Sequence, residues 1–251
     1  MASTTESGHA KNVANFESLI SFVKGYGATY NPSKDSIKVV ALEAILVNAK
    51  QSLIDIDTAQ PAYTNAVSAR EFAFAPLSKI ITRVNNAIKA TDTTELVDNS
   101  VKTLVRKIQG TRASAKISDE DKKLLAEDGK EVNQISASQM GYDNRVENLY
   151  KLLMLLSSIP EYNPNEEELK ISTLTALYED LKAKNTAVIE TTTPLSNARI
   201  TRNEILYKPL SGLVDISVDT KVYIKSVFYA SSPQYKQVSK LQFKTLAKKI
   251  L

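Results

Sequence analysis

Three prolines per half recur in register along this chain, and that recurrence limits its folds more than any other feature. Tyr30-Asn31-Pro32 returns as Tyr162-Asn163-Pro164, 132 residues later. At an offset of 133, Ile56-Asp57-Thr58 with Pro61 returns as Ile189-Glu190-Thr191 with Pro194. Glu71 with Pro76-Leu77-Ser78 likewise returns as Glu204 with Pro209-Leu210-Ser211. The apolar set Val13, Phe16, Ile20 and Val23 maps onto Val146, Leu149, Leu153 and Leu156. Val101 to Ile108 then matches Phe243 to Ile250 at five of eight positions, after nine further residues in the second copy. Shared composition would repeat leucines and lysines, but it would not hold prolines in register. The pattern predicts a tandem duplication: a flexible N-terminus at 1–11, one copy at 12–108, a charged linker at 109–141 and a second copy at 142–251.

Spacing sets the fold class. Val13, Phe16, Ile20 and Val23 step by three, four and three, a helical stripe that Gly25 and Gly27 stop. Asn163-Pro164-Asn165-Glu166 reads as an N-cap, a proline in the first turn and a glutamate that reaches back to the cap, so a second helix is expected to start there. Its expected length is about 25 residues, near 38 Å at 1.5 Å per residue. The run Glu190-Thr-Thr-Thr-Pro194 is expected to break or kink the chain, with Thr193 capping a third helix. Pro76 and Pro209 fall inside the apolar pattern of that third helix and should kink or split it. Glu95–Ile108 and Tyr235–Leu251 read as fourth helices. Ser118-Asp119-Glu120-Asp121 reads as the cap and acidic first turn of a short linker helix ended by Gly129. Period-two alternation is scarce, so the expected fold is all-α: bundles of antiparallel, proline-kinked helices from a three- to four-helix unit used twice.

Composition removes much chemistry. There is no cysteine, which excludes disulfides, thiolate metal sites and cysteine nucleophiles, and the single histidine, His9, falls in what reads as a frayed first turn. The longest stretch without a formal charge, Thr58 to Ala69, is too short and too polar for a membrane-spanning helix. The small polar start MASTTESGHAKN lacks the basic and apolar regions of a secretory signal, so a cytoplasmic location is expected, with export by a non-classical route left open. No glycine-rich phosphate cradle, calcium loop or convergent acid–base set is visible, so no enzyme, cofactor or metal is expected.

Two clusters of charge stand out against a net of +4. Lys102, Arg106, Lys107, Arg112 and Lys116 lie in one stretch without acids, and Lys236, Lys240, Lys244, Lys248 and Lys249 in another. Lys236, Lys240, Lys244 and Lys248 recur every fourth residue, which would line one side of a helix, with Leu246 and Ile250 on another. Such stretches bind nucleic acid or acidic lipid through counterion release, or simply complement a helix C-terminus. Tyr223 and Tyr235 near the second cluster could stack on bases or pack half-buried. Arg70-Glu71 and Arg202-Asn203-Glu204 recur ahead of the prolines. They read as structural ion pairs, with a paired-carboxylate site as the alternative. Asn65 and Asn197 share that status.

The stretches Tyr142-Asp-Asn-Arg-Val-Glu-Asn-Leu149, Ser157-Ser-Ile-Pro-Glu-Tyr-Asn-Pro164 and Ser232-Pro-Gln-Tyr-Lys236 resemble uncharacterised, internally duplicated helical proteins of Bacteroidetes-type bacteria. That resemblance implies no activity and transfers no site residue. Three functions follow as expectations. The first is a non-enzymatic scaffold or interaction protein, with a protein partner or further copies of itself and no small-molecule substrate. The second is a polyanion binder, and the third a soluble helical toxin or pore component, for which Leu152–Leu156 is the best apolar candidate.

Overall fold

A computed structural model of the chain describes residues 6–111 and 141–245. The linker helix expected after Ser118, together with Arg112, Lys116, Lys248 and Lys249, lies outside those residues. The described residues form helices without strands: α1 (Glu6–Gly25), α2 (Val39–Phe74), α3 (Leu77–Lys89), α4 (Glu95–Gln109), α5 (Tyr142–Ser157), α6 (Ile171–Tyr207), α7 (Leu213–Phe228) and α8 (Pro233–Ser239). Single 3-10 turns stand at Gly27–Thr29, Asp35–Ile37 and Glu167–Leu169.

The stripe read in α1 is buried as its spacing requires, with Val13, Phe16, Ile20 and Val23 all at 4% exposure or less. The helix begins at Glu6, however, so residues 6–11 are helical and His9 is ordered. α4 covers the expected Glu95–Ile108, capped by the Thr94 hydroxyl accepting from the Val97 N–H and closed by Gly110 at φ 69°.

The break expected at Glu190-Thr-Thr-Thr-Pro194, with Thr193 capping a new helix, does not occur. α2 and α6 run 36 and 37 residues, unbroken through Pro61 and Pro194. An interior proline costs about 3 kcal/mol, and burial of Ile56, Val188 and Leu195 on nearby turns offsets it. The chain breaks at the other pair, where a kink or split is expected: Pro76 between α2 and α3 and Pro209 between α6 and α7. These two breaks are unlike one another. Leu77 is fully buried at the start of α3, whereas its sequence match Leu210 is 84% exposed at φ 67°. Gly212 closes the longer second break, where a Cβ would lie 2.6 Å from the Lys208 nitrogen.

Two further expectations are corrected. Asn163-Pro164 does not start a helix, because α6 begins at Ile171. The reason is Tyr162, whose hydroxyl donates to the Leu169 carbonyl at 2.9 Å and folds the intervening residues into a closed turn. Tyr30 does the same to Ile37 at 2.6 Å. Of the helix expected over Tyr235–Leu251, the described residues are helical only within Pro233–Ser239, and 241–245 leave helical structure because α1 captures their main chain.

The chain divides into two compact units: unit 1 comprises Met1–Tyr63 with Thr191–Leu251, and unit 2 comprises Thr64–Glu190. Each unit takes helices from both the N-terminal and the C-terminal half of the chain. Unit 1 buries Phe16, Leu19 and Leu42 with Leu206, Leu213 and Ile224, packing α1 and the start of α2 with α7, α8 and the end of α6. Unit 2 buries Leu77, Ile81 and Ile88 with Leu149, Leu153 and Leu174, packing α3 and α4 with α5 and the start of α6. Leu152, Leu153 and Leu156, the apolar candidate for a pore segment, are core residues here.

Candidate interaction surface

In unit 2 the residue ahead of the break, Arg70, does not pair with Glu71. Neighbours in a helix point apart, and Glu71 is exposed. The Arg70 guanidinium donates to Asn185 Oδ1 at 2.9 Å and lies 3.9 Å over the Tyr142 ring. Tyr142 meets Phe74 edge-on at 4.8 Å, and Arg145 covers the other aromatic at 5.2 Å. The result is a stack of two cations and two rings, with Asn185 relaying it to the Asp143 carboxylate through a 2.5 Å bond from its Nδ2 to Asp143 Oδ1. Burial holds the Arg145 guanidinium below its usual range.

Unit 1 builds the same corner from other residues. His9 and Tyr207, each 133 positions from Tyr142 and Phe74, meet edge-on at 5.5 Å, with a 2.6 Å hydrogen bond between His9 Nδ1 and the Tyr207 hydroxyl. Arg202 is 5% exposed and donates to Asn203 Oδ1 at 2.9 Å, while Glu204 is exposed. Asn12, fully buried, donates from Nδ2 to the Tyr207 hydroxyl at 3.2 Å and to the Lys244 carbonyl at 2.9 Å. Its Oδ1 accepts from the Lys244 N–H at 2.9 Å. Asn15 adds a bond to the Gln242 carbonyl at 2.6 Å. These amides replace helical hydrogen bonds along 241–244, which is why the lysines there do not line a helix.

The basic candidates separate accordingly. Lys102, Arg106 and Lys107 stand on α4 in unit 2, and Lys240 and Lys244 on the tail of unit 1. None of the five has an ion pair among the described residues. Tyr223 and Tyr235 are half-buried against the core of unit 1. Asn65 and Asn197 are exposed on the long helices. Among the described residues no group of three or more His, Asp or Glu is placed to hold a metal. No helix among them is long and apolar enough to cross a membrane.

One surface feature has an order that scattered exposure lacks. On the part of α2 in unit 1, Val40, Val47 and Ile54 are 78%, 66% and 54% exposed. They recur every seven residues, with exposed Ala44, Gln51 and Thr58 four residues after each. Positions alternating by four and three form the narrow seam of a two-stranded coiled coil. At 1.5 Å per residue the seam runs about 21 Å. The sequence concealed it because α2 is apolar on several sides, and burial alone separates Leu42 and Ala49, which are core, from Val40 and Val47.

No family model matches this chain, and no curated protein or solved structure is similar to it.

Proposed function

We propose that the chain is a non-enzymatic helical scaffold that assembles with further copies of itself through the seam on α2. The exposed heptad register of Val40, Val47 and Ile54 carries this reading. Isolated aliphatic side chains on a surface are ordinary, whereas these three share one heptad position of a single helix, with Ala44 and Gln51 between them. The strip is self-complementary: crossed antiparallel about Val47, it sets Val40 of one copy against Ile54 of the other, as a twofold contact requires. A seam this short is small beside a standard interface of about 1,600 Å², so the association is reversible and concentration-dependent.

A tandem duplication of a three- to four-helix unit supports the same reading. The Tyr30–Ile37 and Tyr162–Leu169 bonds, and the His9–Tyr207 and Tyr142–Phe74 ring pairs, recur at matching offsets. Each compact unit combines one half of each copy. Such a chain has the form of two exchanged protomers fused into one.

The test is absolute mass by light scattering after size exclusion, at low and high salt and over a range of concentrations. The expected mass rises above 27.7 kDa in both salts, and Val47→Lys returns it to the single-chain value. A mass of one chain at every concentration overturns the reading. Nucleic acid co-eluting at low salt and stripped at high salt, with no change of protein mass, transfers the function to Lys102, Arg106, Lys107, Lys240 and Lys244.

A further inference from the structure

We propose that a cleft beside Tyr162 in unit 2 is a binding site for a phenol ring, the group that unit 1 supplies from its own Tyr223. The argument begins with helix register. α3 buries Leu77, Ile81, Val84 and Ile88, and α7 buries Leu213, Ser217, Thr220 and Ile224 with the same spacing, 136 residues later. Each helix belongs to a unit holding one of the two closed tyrosine turns. On this register Tyr223 corresponds to Ala87 and Ser226 to Ala90.

In unit 1 the Tyr223 ring stands edge-on to Tyr30 at 5.2 Å and 88°. Its hydroxyl accepts the Asn31 N–H at 3.2 Å. In unit 2 the two alanines leave a cleft of about 520 Å³ lined by Ala87, Ala90, Tyr162, Asn163 and Leu169, with Arg83 at its edge. The Asn163 N–H, which corresponds to that of Asn31, turns back instead onto the Glu161 carbonyl two residues away. A bond across so tight a turn is a poor substitute for a phenolic oxygen. The cleft therefore offers part of what Tyr223 meets in unit 1, a tyrosine ring edge, alanine and leucine side chains and one main-chain donor, under a polar rim of Asn86, Thr91, Asn165 and Glu166. Its volume exceeds one ring, so it admits a para-substituted phenol, either a free small molecule or a tyrosine side chain of a partner.

The experiment is a 1H–15N NMR titration of the full chain with p-cresol, N-acetyl-tyrosinamide and toluene. p-Cresol is expected to shift the Asn163 and Ala87 amides in the millimolar range, and toluene, lacking the hydroxyl, to bind about tenfold more weakly. Tighter binding of N-acetyl-tyrosinamide than of p-cresol assigns the site to a partner's tyrosine, and the reverse order assigns it to a free phenol. Ala87→Tyr fills the cleft from within and abolishes the response. Tyr223→Ala opens the matching space in unit 1 and adds a second response at Asn31. The proposal is overturned if p-cresol leaves Asn163 unmoved, if toluene binds as well as p-cresol, or if Tyr223→Ala adds no response at Asn31 in a chain that keeps its native spectrum elsewhere.

Discussion

Unit 1 and unit 2 fill one frame in opposite ways. Beneath the closed tyrosine turn, unit 2 puts Ile81 and Val84 into the core and leaves Ala87 above them. Unit 1 puts Ser217 and Thr220 at the matching depth and Tyr223 above them. Both hydroxyls are buried but satisfied, Ser217 donating to the Leu213 carbonyl at 2.6 Å and Thr220 to the Ile216 carbonyl at 2.8 Å. Bulk removed from the base of one unit is restored at its rim, and bulk placed at the base of the other leaves its rim empty. A packed interior is filled to nearly constant density, so the position of the large side chain decides whether the space beside the tyrosine turn is filled.

The largest expected effect tests that exchange directly. Ile81→Ala removes fully buried methylenes and should destabilise unit 2 by about 2–5 kcal/mol. Ser217→Ala removes a hydroxyl that bonds only to its own helix, leaves no donor unpaired, and should cost less than about 1 kcal/mol. Urea unfolding followed by hydrogen exchange within each unit compares the two. Equal costs would mean that the serine carries packing of its own, and the contrast between the units would fail.

The next effect concerns what the units share. Burial pushes the Tyr30 and Tyr162 hydroxyls up to about 12 from 10.0, assisted by nearby Glu166 for Tyr162. For Tyr30 a bond to Thr220 acts the other way. A group whose folded value is raised contributes stability that is complete below its unfolded value and is lost as pH rises through the folded one. The chain should therefore hold its stability up to pH 10 and lose it between pH 10 and about 12, by on the order of 2–3 kcal/mol for each tyrosine. Circular dichroism against pH measures this. Tyr162→Phe should remove the loss from unit 2 alone, at the expense of its bond to Leu169, and Tyr30→Phe from unit 1 alone.

Local periodicity made much of this architecture legible. The step of three and four in Val13, Phe16, Ile20 and Val23, and the helix expected over Glu95–Ile108, rest on local spacing, and they hold. The expectations that changed depend on partners far away in sequence. The tail after Ser239 has a helical lysine pattern, yet Asn12 and Asn15, more than 220 residues distant, take its main-chain groups. Asn12 corresponds to Arg145 in the other unit, which cannot bracket a main chain in this way and instead covers the Phe74 ring. The matching segment there, Val101–Ile108, is helical. Nor could the sequence show the seam or the cleft. Val40 and Leu42 read alike until burial separates them, and Ala87 and Ala90 look like ordinary helix formers until Tyr223 shows what stands in their place.

The smallest expected effect lies in charge. The turn and helix of unit 1 are tied by Lys34 Nζ and Asp219 at 2.5 Å, with the acid on the helix. In unit 2 Arg83 and Glu168 tie the corresponding turn and helix with the base on the helix, on the same register as Asp219. All four side chains are at least 40% exposed. Exposed pairs contribute about 0.2–1 kcal/mol, because water screens them and two long side chains must be held still. Arg83→Asp should therefore destabilise unit 2 by no more than about 1 kcal/mol, and the double reversal Arg83→Asp with Glu168→Lys should recover most of it. Both differences should vanish in about 1 M salt, where the screening length falls to near 3 Å. A larger loss that salt does not abolish would show Arg83 packing as well as pairing. The opposite polarity of the two ties would then mark a difference in how each rim is built, with Arg83 a fixed wall of the unit 2 cleft. If the double reversal behaves as expected, either sign on the helix holds the turn equally well, and the polarity of the tie carries no stability of its own.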